Sequence, residues 1–270
     1  MHHEHNRMQD NMSDIAASSS QTTDDAEWNT RCELAALYRL AAYFRMTDMI
    51  DTHISARLPG HADQFLINRY GVLFHEMRAS DLVRVDHAGR ELKTGNDAPA
   101  AQRVNAAGFT IHSAVHHARP DLHFVIHTHT SAGIAVAAQE QGLLPISQHA
   151  MKFYGKLAYH DYEGIALDLE ERERLVANLG SHKAMILRNH GLLAAGGTAA
   201  EAFHEIYFLE RACQAQVAAL SGGQALRLPP EAVRQRTAQQ FNGDNSSGIM
   251  DLAWQAALRL IENDQPDYRQ

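Results

Sequence analysis

A short apolar run between two helical segments constrains the fold of this chain more than any other feature. Residues 104–119 carry apolar residues at helical spacing and end at Pro120, which terminates a helix. The run LHFVIHTHT that follows is short and apolar, which is typical of a buried strand, and SAGIAVAAQEQG after it predicts a second helix closed by Gly142. Helix, strand and helix in close succession predict an α/β domain, in which helices cover a sheet.

Further strands are predicted on both sides of this unit. IDTHISARL alternates in polarity, and QFLINRYG follows it after a turn. AMILRNHGLLAAGG is an apolar strand interrupted by Asn-His-Gly, which is a strong turn signal. Thr198 with Glu201 predicts the start of a long helix that runs to about Leu220. Strands and helices thus mix within one predicted α/β domain over residues 28–223.

Both ends of the chain differ from this domain in composition. Residues 1–27 are polar and cannot bury enough apolar surface to offset their ordering entropy, so we predict a disordered arm there. Residues 224–270 begin with a loose stretch rich in Pro, Gln and Asn and continue into the amphipathic segment IMDLAWQAALRLIEN. We therefore predict a C-terminal tail that carries one helix.

Composition narrows the classes of function. The net charge of −8 argues against binding to nucleic acid or to an anionic membrane through a basic surface. No stretch approaches the roughly 20 apolar residues that span a bilayer, and the first residues lack the apolar segment of a signal peptide, so a cytoplasmic protein is expected. Cys32 and Cys213 are too few for a disulfide framework or a thiolate metal cage.

Histidine is the unusual residue of this chain, with 18 copies. His127 and His129 end the apolar strand, where side chains at i and i+2 point to the same face. His190, in the Asn-His-Gly turn, can supply a third imidazole. Three neutral ring nitrogens at about 2.0–2.1 Å from an ion are typical of catalytic zinc. Spacing alone leaves open the alternative that these histidines only make hydrogen bonds to their neighbours.

Several motifs together resemble the class II aldolase and adducin head-domain family. They are AGFTIHSAVHHARPDLHFVIHTHT, the later ILRNHGLLAAGG, and INRYGVLFHEMRASDLVRVDHAGR, and the resemblance extends over residues 30–220. It implies a central, mainly antiparallel sheet flanked by helices in three layers, and usually a homotetramer with active sites at subunit interfaces. It also implies that His127, His129 and His190 bind a divalent ion, with Zn²⁺ expected and Fe²⁺ or Mn²⁺ as alternatives.

Two departures set the chain apart from the sugar-phosphate aldolases of that family. Those enzymes carry a catalytic glutamate four residues before a helical histidine, whereas Gly108 stands four residues before His112 here. Their phosphate-binding segments correspond to residues 52–55 and 106–108, which have lost most of their hydroxyl and amide donors. The chain is closer to the adducin-like bacterial branch, and we expect a small, non-phosphorylated substrate.

Without that glutamate, another group must carry the proton in a lyase reaction. His149 lies near the position where the sugar aldolases have a tyrosine proton donor, and an ordinary histidine pKa near 6.5 suits this role. Glu76 and Tyr162 are the further catalytic candidates. The alternative for His149 is a surface position or a supporting contact, for Glu76 a structural hydrogen bond or salt bridge, and for Tyr162 a place on the rim of the pocket.

Three functions are compatible with this sequence. The first is a metal-dependent lyase that performs aldol cleavage or decarboxylation on a small hydroxy or oxo compound. The second is a non-haem metal enzyme of another class, such as an oxygenase or a dehydratase; the usual two-histidine, one-carboxylate set is not evident in the sequence. The third is a non-catalytic binding or structural module like the adducin head. The presence of all three histidines argues against the third.

Overall fold

A mixed β-sheet organises the structure, which is a computed structural model describing residues 24–92, 104–165, 170–243 and 247–270. Within these residues the sheet has seven strands in the order β3-β2-β1-β4-β7-β6-β5. Neighbouring strands are antiparallel except β5 and β6, which are parallel. The strands are β1 (His53–Arg57), β2 (Gln64–Ile67), β3 (Val83–Asp86), β4 (Phe124–Thr128), β5 (Leu157–His160), β6 (Ala184–Leu187) and β7 (Gly191–Gly196).

Helices lie on both faces of this sheet. They are α1 (24–43), α2 (Ala106–Ala118), α3 (Ser131–Ala137), α4 (Gln148–Lys152), α5 (Glu171–Leu179), α6 (Ala199–Ser221), α7 (Glu231–Gln240) and α8 (Ile249–Glu262). Short 3₁₀ helices cover Phe74–Glu76, Ala79–Asp81, Phe241–Gly243 and Pro266–Arg269. No helix in the described part of the chain has both the length and the apolar character needed to cross a membrane.

Alternation along the strands creates two different interiors. In β4, Phe124 and Ile126 join a large apolar cluster with α1, α6 and α8, whereas Val125 packs with α2 and α5 on the other face. His127 shares the face of Val125 and is fully buried. Helices, sheet and helices therefore form three layers, which confirms the predicted fold class.

The predicted Asn-His-Gly turn is a β-hairpin turn between β6 and β7. Leu187 of β6 is paired with Gly191 of β7, and Asn189 has a φ of 55°, a left-handed conformation that asparagine tolerates better than most residues. The backbone N–H of Asn189 donates to the carbonyl of Ala137 at 3.2 Å, which ties the turn to the end of α3. This turn is what brings His190 to the end of β4.

The structure at both ends of the chain differs from what the sequence predicted. Residues 24–27, which lie inside the segment expected to be disordered, belong to the first helix, and the rest of that segment lies outside the described residues. The tail carries two helices, α7 and α8, rather than one. Trp254 and Ile261 of α8 and the later Tyr268 are buried in the same apolar cluster as α1 and α6, because the apolar side of α8 packs against α6.

The helix after β4 is also shorter than expected. It ends at Ala137 instead of continuing to Gly142, and the following residues form turns. Gly142 has a φ of 64°, and a Cβ atom there would lie 2.5 Å from the ring of Tyr159. The glycine therefore serves a tight turn against Tyr159 and does not cap a helix.

Candidate metal centre

His127, His129 and His190 converge at one end of the sheet, and we refer to them as the histidine triad. Nε2 of His129 lies 2.8 Å from Nε2 of His127 and 2.9 Å from Nε2 of His190. One ligand atom from each ring lies within 4.8 Å of the others. The same nitrogen of all three imidazoles therefore faces a common point, as expected for ligands of one ion.

Strand pairing explains this convergence. His127 is the fourth residue of β4, and His129 follows the end of that strand. β7 is antiparallel to β4, so the turn that precedes β7 lies beside the end of β4. A Cβ atom on Gly191 would clash with the carbonyl oxygen of Thr128. Glycine at 191 is thus needed for the close approach that places His190 beside the other two rings.

Hydrogen bonds at the far side of two rings orient them. Nδ1 of His127 lies 2.9 Å from the carbonyl oxygen of Leu192, to which it donates. Nδ1 of His129 lies 3.1 Å from the carboxylate of Asp48, which accepts in the same way. Carrying the proton on Nδ1 leaves the Nε2 lone pairs free for a ligand. Carbonyl and carboxylate partners of this kind typically support histidine ligands of metals, so these residues fit a divalent ion.

Burial keeps the imidazoles of His127 and His190 in the neutral, ligating form. The pKa of His127 is lowered well below its usual value by burial and by the neighbouring rings of His53, His190 and His129. Burial, with His129 and His160 nearby, lowers the pKa of His190 to about 4. Near neutral pH these nitrogens are therefore unprotonated and able to coordinate a cation.

A chain of buried polar side chains extends from the triad towards α2. Nδ1 of His53 lies 2.8 Å from Nε2 of His112, and Nδ1 of His112 is hydrogen-bonded to Oγ of Ser55. Oγ of Ser55 also lies 2.7 Å from Nε2 of His116. His53 and Ser55 are on the α2-facing side of β1, and His112 and His116 are one helical turn apart. We call these four residues the His53 chain.

The position of the missing glutamate is filled. A Cβ atom on Gly108 would lie 2.5 Å from Cδ2 and 2.9 Å from Nε2 of His53. These distances are far too short for ordinary packing, so residue 108 has no room for a side chain while His53 keeps its position. The ring of His53, which comes from β1, therefore lies where a side chain at residue 108 of α2 would project.

The three catalytic candidates lie in different places. Tyr162 is beside the triad, with its ring 6.2 Å from that of His190 and 52% of its surface exposed. The carboxylate of Glu76 accepts the backbone N–H of Leu73 at 3.1 Å, so it caps its own 3₁₀ helix. This is the structural alternative considered for Glu76.

His149 is not brought to the triad within one chain. It lies on α4 with its ring 5.0 Å from Phe208 of α6. The helix α4 leads into the start of β5, whereas His190 follows the end of β6, which is parallel to β5. His149 and the triad therefore lie towards opposite ends of the sheet. Its assignment as the proton carrier stays a prediction that one chain alone does not support.

The triad and the fold agree with a sequence comparison. The family described as Class II Aldolase and Adducin N-terminal domain matches residues 32–217. This chain belongs to that family. The match includes all three triad histidines and the His53 chain. The resemblance inferred from the motifs is thereby confirmed.

Individual family members are similar over most of the chain. A solved aldolase II superfamily protein from Pseudomonas syringae is 51% identical with a TM-score of 0.83, covering 91% of this chain and 96% of that one. The L-fuculose 1-phosphate aldolase from Glaciozyma antarctica is 27% identical with a TM-score of 0.78, covering 91% and 93%. Rat alpha-adducin is 44% identical over 211 residues, which are 78% of this chain and 28% of the adducin.

Sequence reasoning missed Asp48 and His53 as residues of this site. Asp48 lies in a loop before β1, and no local pattern points from it to His129. The sequence points to His53 only within residues 52–55, which correspond to a phosphate-binding segment of the sugar-phosphate aldolases. The spacing of His112 and His116 at i and i+4, together with the alternation of His53 and Ser55, was a usable signal, since each pair shares one face of its element.

Proposed function

We propose that this protein is a divalent-metal-dependent lyase that performs aldol cleavage or decarboxylation on a small, non-phosphorylated hydroxy or oxo compound. The observation that carries the proposal is the triad itself. Three Nε2 atoms converge, while the Nδ1 atoms of His127 and His129 are engaged with Leu192 and Asp48. A merely structural role does not require this common orientation.

Zn²⁺ is the ion that these ligands suit best. Three neutral imidazoles with no carboxylate among them match catalytic zinc, whereas non-haem iron commonly uses two histidines and one carboxylate. The carboxylate of Asp48 lies on the Nδ1 side of His129 and supports a ligand instead of being one. Fe²⁺ and Mn²⁺ remain the alternatives, with an oxygenase or dehydratase activity. When bound, the ion supplies Lewis-acid polarisation of a substrate oxygen.

The start of α2 supports a non-phosphorylated substrate. A helix N-terminus can bind a phosphate through its free backbone N–H groups. Here the side chain of Asn105 accepts from the N–H groups of Ala107 at 3.0 Å and Gly108 at 3.4 Å. These donors already have a partner, and Ala106 and Ala107 carry no hydroxyl to replace them. Phosphorylated sugars are therefore expected to be poor substrates.

A second candidate function follows from the similarity to adducins. Rat alpha-adducin matches 78% of this chain at 44% identity, which favours a non-catalytic binding module as the alternative. The two candidates differ in what the triad must do. A lyase needs the ion for turnover, whereas a binding module can lose it without losing its function.

We also propose that the protein is a cytoplasmic homotetramer that binds a small molecule. Oligomers with active sites at subunit interfaces are usual for class II aldolases. Within one chain, Tyr162 is the catalytic candidate beside the triad. A contribution from His149 requires a second copy of the chain, since its own triad lies at the other end of the sheet.

Substrate screening tests the proposed lyase activity. The zinc-loaded protein is incubated with small hydroxy and oxo acids and aldehydes, and carbon–carbon cleavage is followed by mass spectrometry. We expect turnover that EDTA abolishes and that Zn²⁺ restores. Turnover of fuculose or ribulose phosphate at an ordinary rate of about 1–10³ s⁻¹ contradicts the proposed substrate class. Turnover that survives EDTA treatment contradicts the metal dependence.

A further inference from the structure

His53 is a buried residue beside the triad whose chemistry the proposed function has not used. It lies directly opposite His127 in the pairing of β1 with β4, so both side chains are on one face of the sheet. The two ring centroids are 5.0 Å apart, with the ring planes 31° from parallel. The side chain of His53 is 2% exposed. His53 thus lines the triad site and is not a surface residue.

The His53 chain fixes the orientation of this ring. Its Nδ1 is committed to His112, and His112 is in turn held by Ser55. A ring anchored at Nδ1 has its other nitrogen directed away from that anchor. Because Nδ1 is committed to His112, Nε2 is the nitrogen through which this ring can contact a ligand held at the triad.

The space around Gly108 shows which group His53 has replaced. Nε2 of His53 would be 2.9 Å from a Cβ atom at residue 108 and Cδ2 would be 2.5 Å from it. The site therefore accepts either the ring of His53 or a side chain on α2, but not both. The ring comes from β1 and carries a neutral nitrogen, whereas the glutamate of the sugar-phosphate aldolases comes from α2 and carries a charge.

We propose that His53 contacts the substrate through Nε2, as a hydrogen-bonding residue that takes the place of a side chain at residue 108. The ligand it recognises is an oxygen atom of a small hydroxy or oxo acid held at the triad. His112, Ser55 and His116 are positioning residues, because they act on the substrate only through the ring of His53. This proposal rests on the proposed function, since it requires an ion and a substrate at the triad.

Two substitutions separate contact with the substrate from a structural role. In His53→Asn, the side-chain amide can still bond to His112 near the position of Nδ1, but it does not reach the position of Nε2. In His53→Gln, the longer amide reaches the position of Nε2. If Nε2 contacts the substrate, the His53→Gln variant keeps this contact and the His53→Asn variant loses it. If His53 only supports His112, Asn is the better replacement.

Oxalate binding to the Co²⁺-loaded protein gives the readout. Oxalate is a small diacid that chelates metals, and the visible absorption of Co²⁺ reports ligand exchange. We expect His53→Asn to weaken oxalate binding about 10-fold or more and His53→Gln to stay within about 3-fold of the wild type, as one hydrogen bond to a charged group predicts. Thermal unfolding and Co²⁺ affinity are measured for all variants, and both are expected to change little in His53→Asn.

The outcomes distinguish this proposal from the proposed function. A wild-type protein that binds no Co²⁺ rejects both. Co²⁺ binding with equal oxalate affinity in the wild type and His53→Asn overturns the role of His53 and leaves the metal site intact. Co²⁺ binding without any oxalate binding overturns it too, because the proposal needs an open position beside the ring. Tighter oxalate binding by His53→Asn than by His53→Gln overturns the contact with the substrate and assigns His53 a structural role.

Discussion

The ring of His53 and the backbone of Gly108 occupy adjoining space so closely that no side chain fits at residue 108. A Cβ atom there would be 2.5 Å from the ring, and the ring itself is anchored to His112. Residue 108 can therefore carry a side chain only if the ring of His53 moves, so the two positions depend on each other.

Gly108→Ala is expected to destabilise the protein by about 1–3 kcal/mol, since the added methyl group must displace a buried ring. The same substitution in a His53→Ala background is expected to be neutral or stabilising by up to about 1 kcal/mol. There the clash is gone, and alanine favours the helix α2 more than glycine does. Urea unfolding of the four proteins measures the coupling between the two sites. Additive effects at the two positions contradict the proposed exclusion.

Asp48 is expected to strengthen metal binding without touching the ion. Its carboxylate accepts the Nδ1 proton of His129, so Asp48→Ala removes the partner that fixes the ring. We expect the dissociation constant for Zn²⁺ to rise about 10-fold or more, the usual effect of losing such a partner. Competition with a chromogenic chelator measures it. Asp51→Ala is the matched control, because Asp51 contacts Tyr70 instead of the triad. Equal affinities in the two variants remove Asp48 from the site.

Stability of the metal-free protein is expected to fall as the pH drops from about 6.5 towards 4. The pKa of His190 is lowered to about 4, and burial also lowers the pKa values of His112 and His116, so the unfolded state binds more protons in this range. The free energy of unfolding therefore rises with pH there, by up to about 1.4 kcal/mol per pH unit for each such histidine. Urea unfolding in EDTA at several pH values measures the slope.

Two variants make this pH test specific. His116→Gln removes a buried titrating ring while its amide can still bond to Ser55, and it should flatten the slope. His75→Gln changes an exposed histidine and should leave the slope as in the wild type. A slope that responds equally to both substitutions shows that the buried histidines are not its source.

The C-terminal helix is expected to be part of the folded core. Trp254 of α8 is buried, with its ring 5.9 Å from Phe203 of α6. Trp254→Ala should reduce the free energy of unfolding by about 3–5 kcal/mol, because it opens a cavity between the two helices. Leu252→Ala on the same helix is the control, since Leu252 is 71% exposed. Similar effects of the two substitutions contradict the packing of α8 on α6.

The sequence predicted those parts of the site that depend on local geometry. His127 and His129 share a face because they are two residues apart on a strand, and the turn around His190 is encoded in Asn-His-Gly. Their meeting required a resemblance to a known family, since the pairing of β4 with β7 joins segments that are far apart in the chain. The layered α/β architecture likewise followed from short apolar strands between helices.

Features set by distant contacts escaped prediction. The position of His149 depends on which end of the sheet α4 occupies, and its local sequence carries no such information. Trp254 is buried against a partner more than fifty residues earlier in the chain. The loose composition of the segment before α8 gave no indication of this contact. The proposed role of His53 depends on the absence of a side chain at Gly108. Only the packing of β1 against α2 shows that these two residues are neighbours.

Metal content of the purified protein tests the central claim most directly. The account predicts about one zinc ion per chain by mass spectrometry of the wild type, almost none in His127→Ala, and wild-type content in His149→Ala, which removes a histidine from the other end of the sheet. Wild-type protein that remains metal-free after exposure to Zn²⁺, or a His127→Ala variant that keeps its zinc, would contradict a metal centre at the triad.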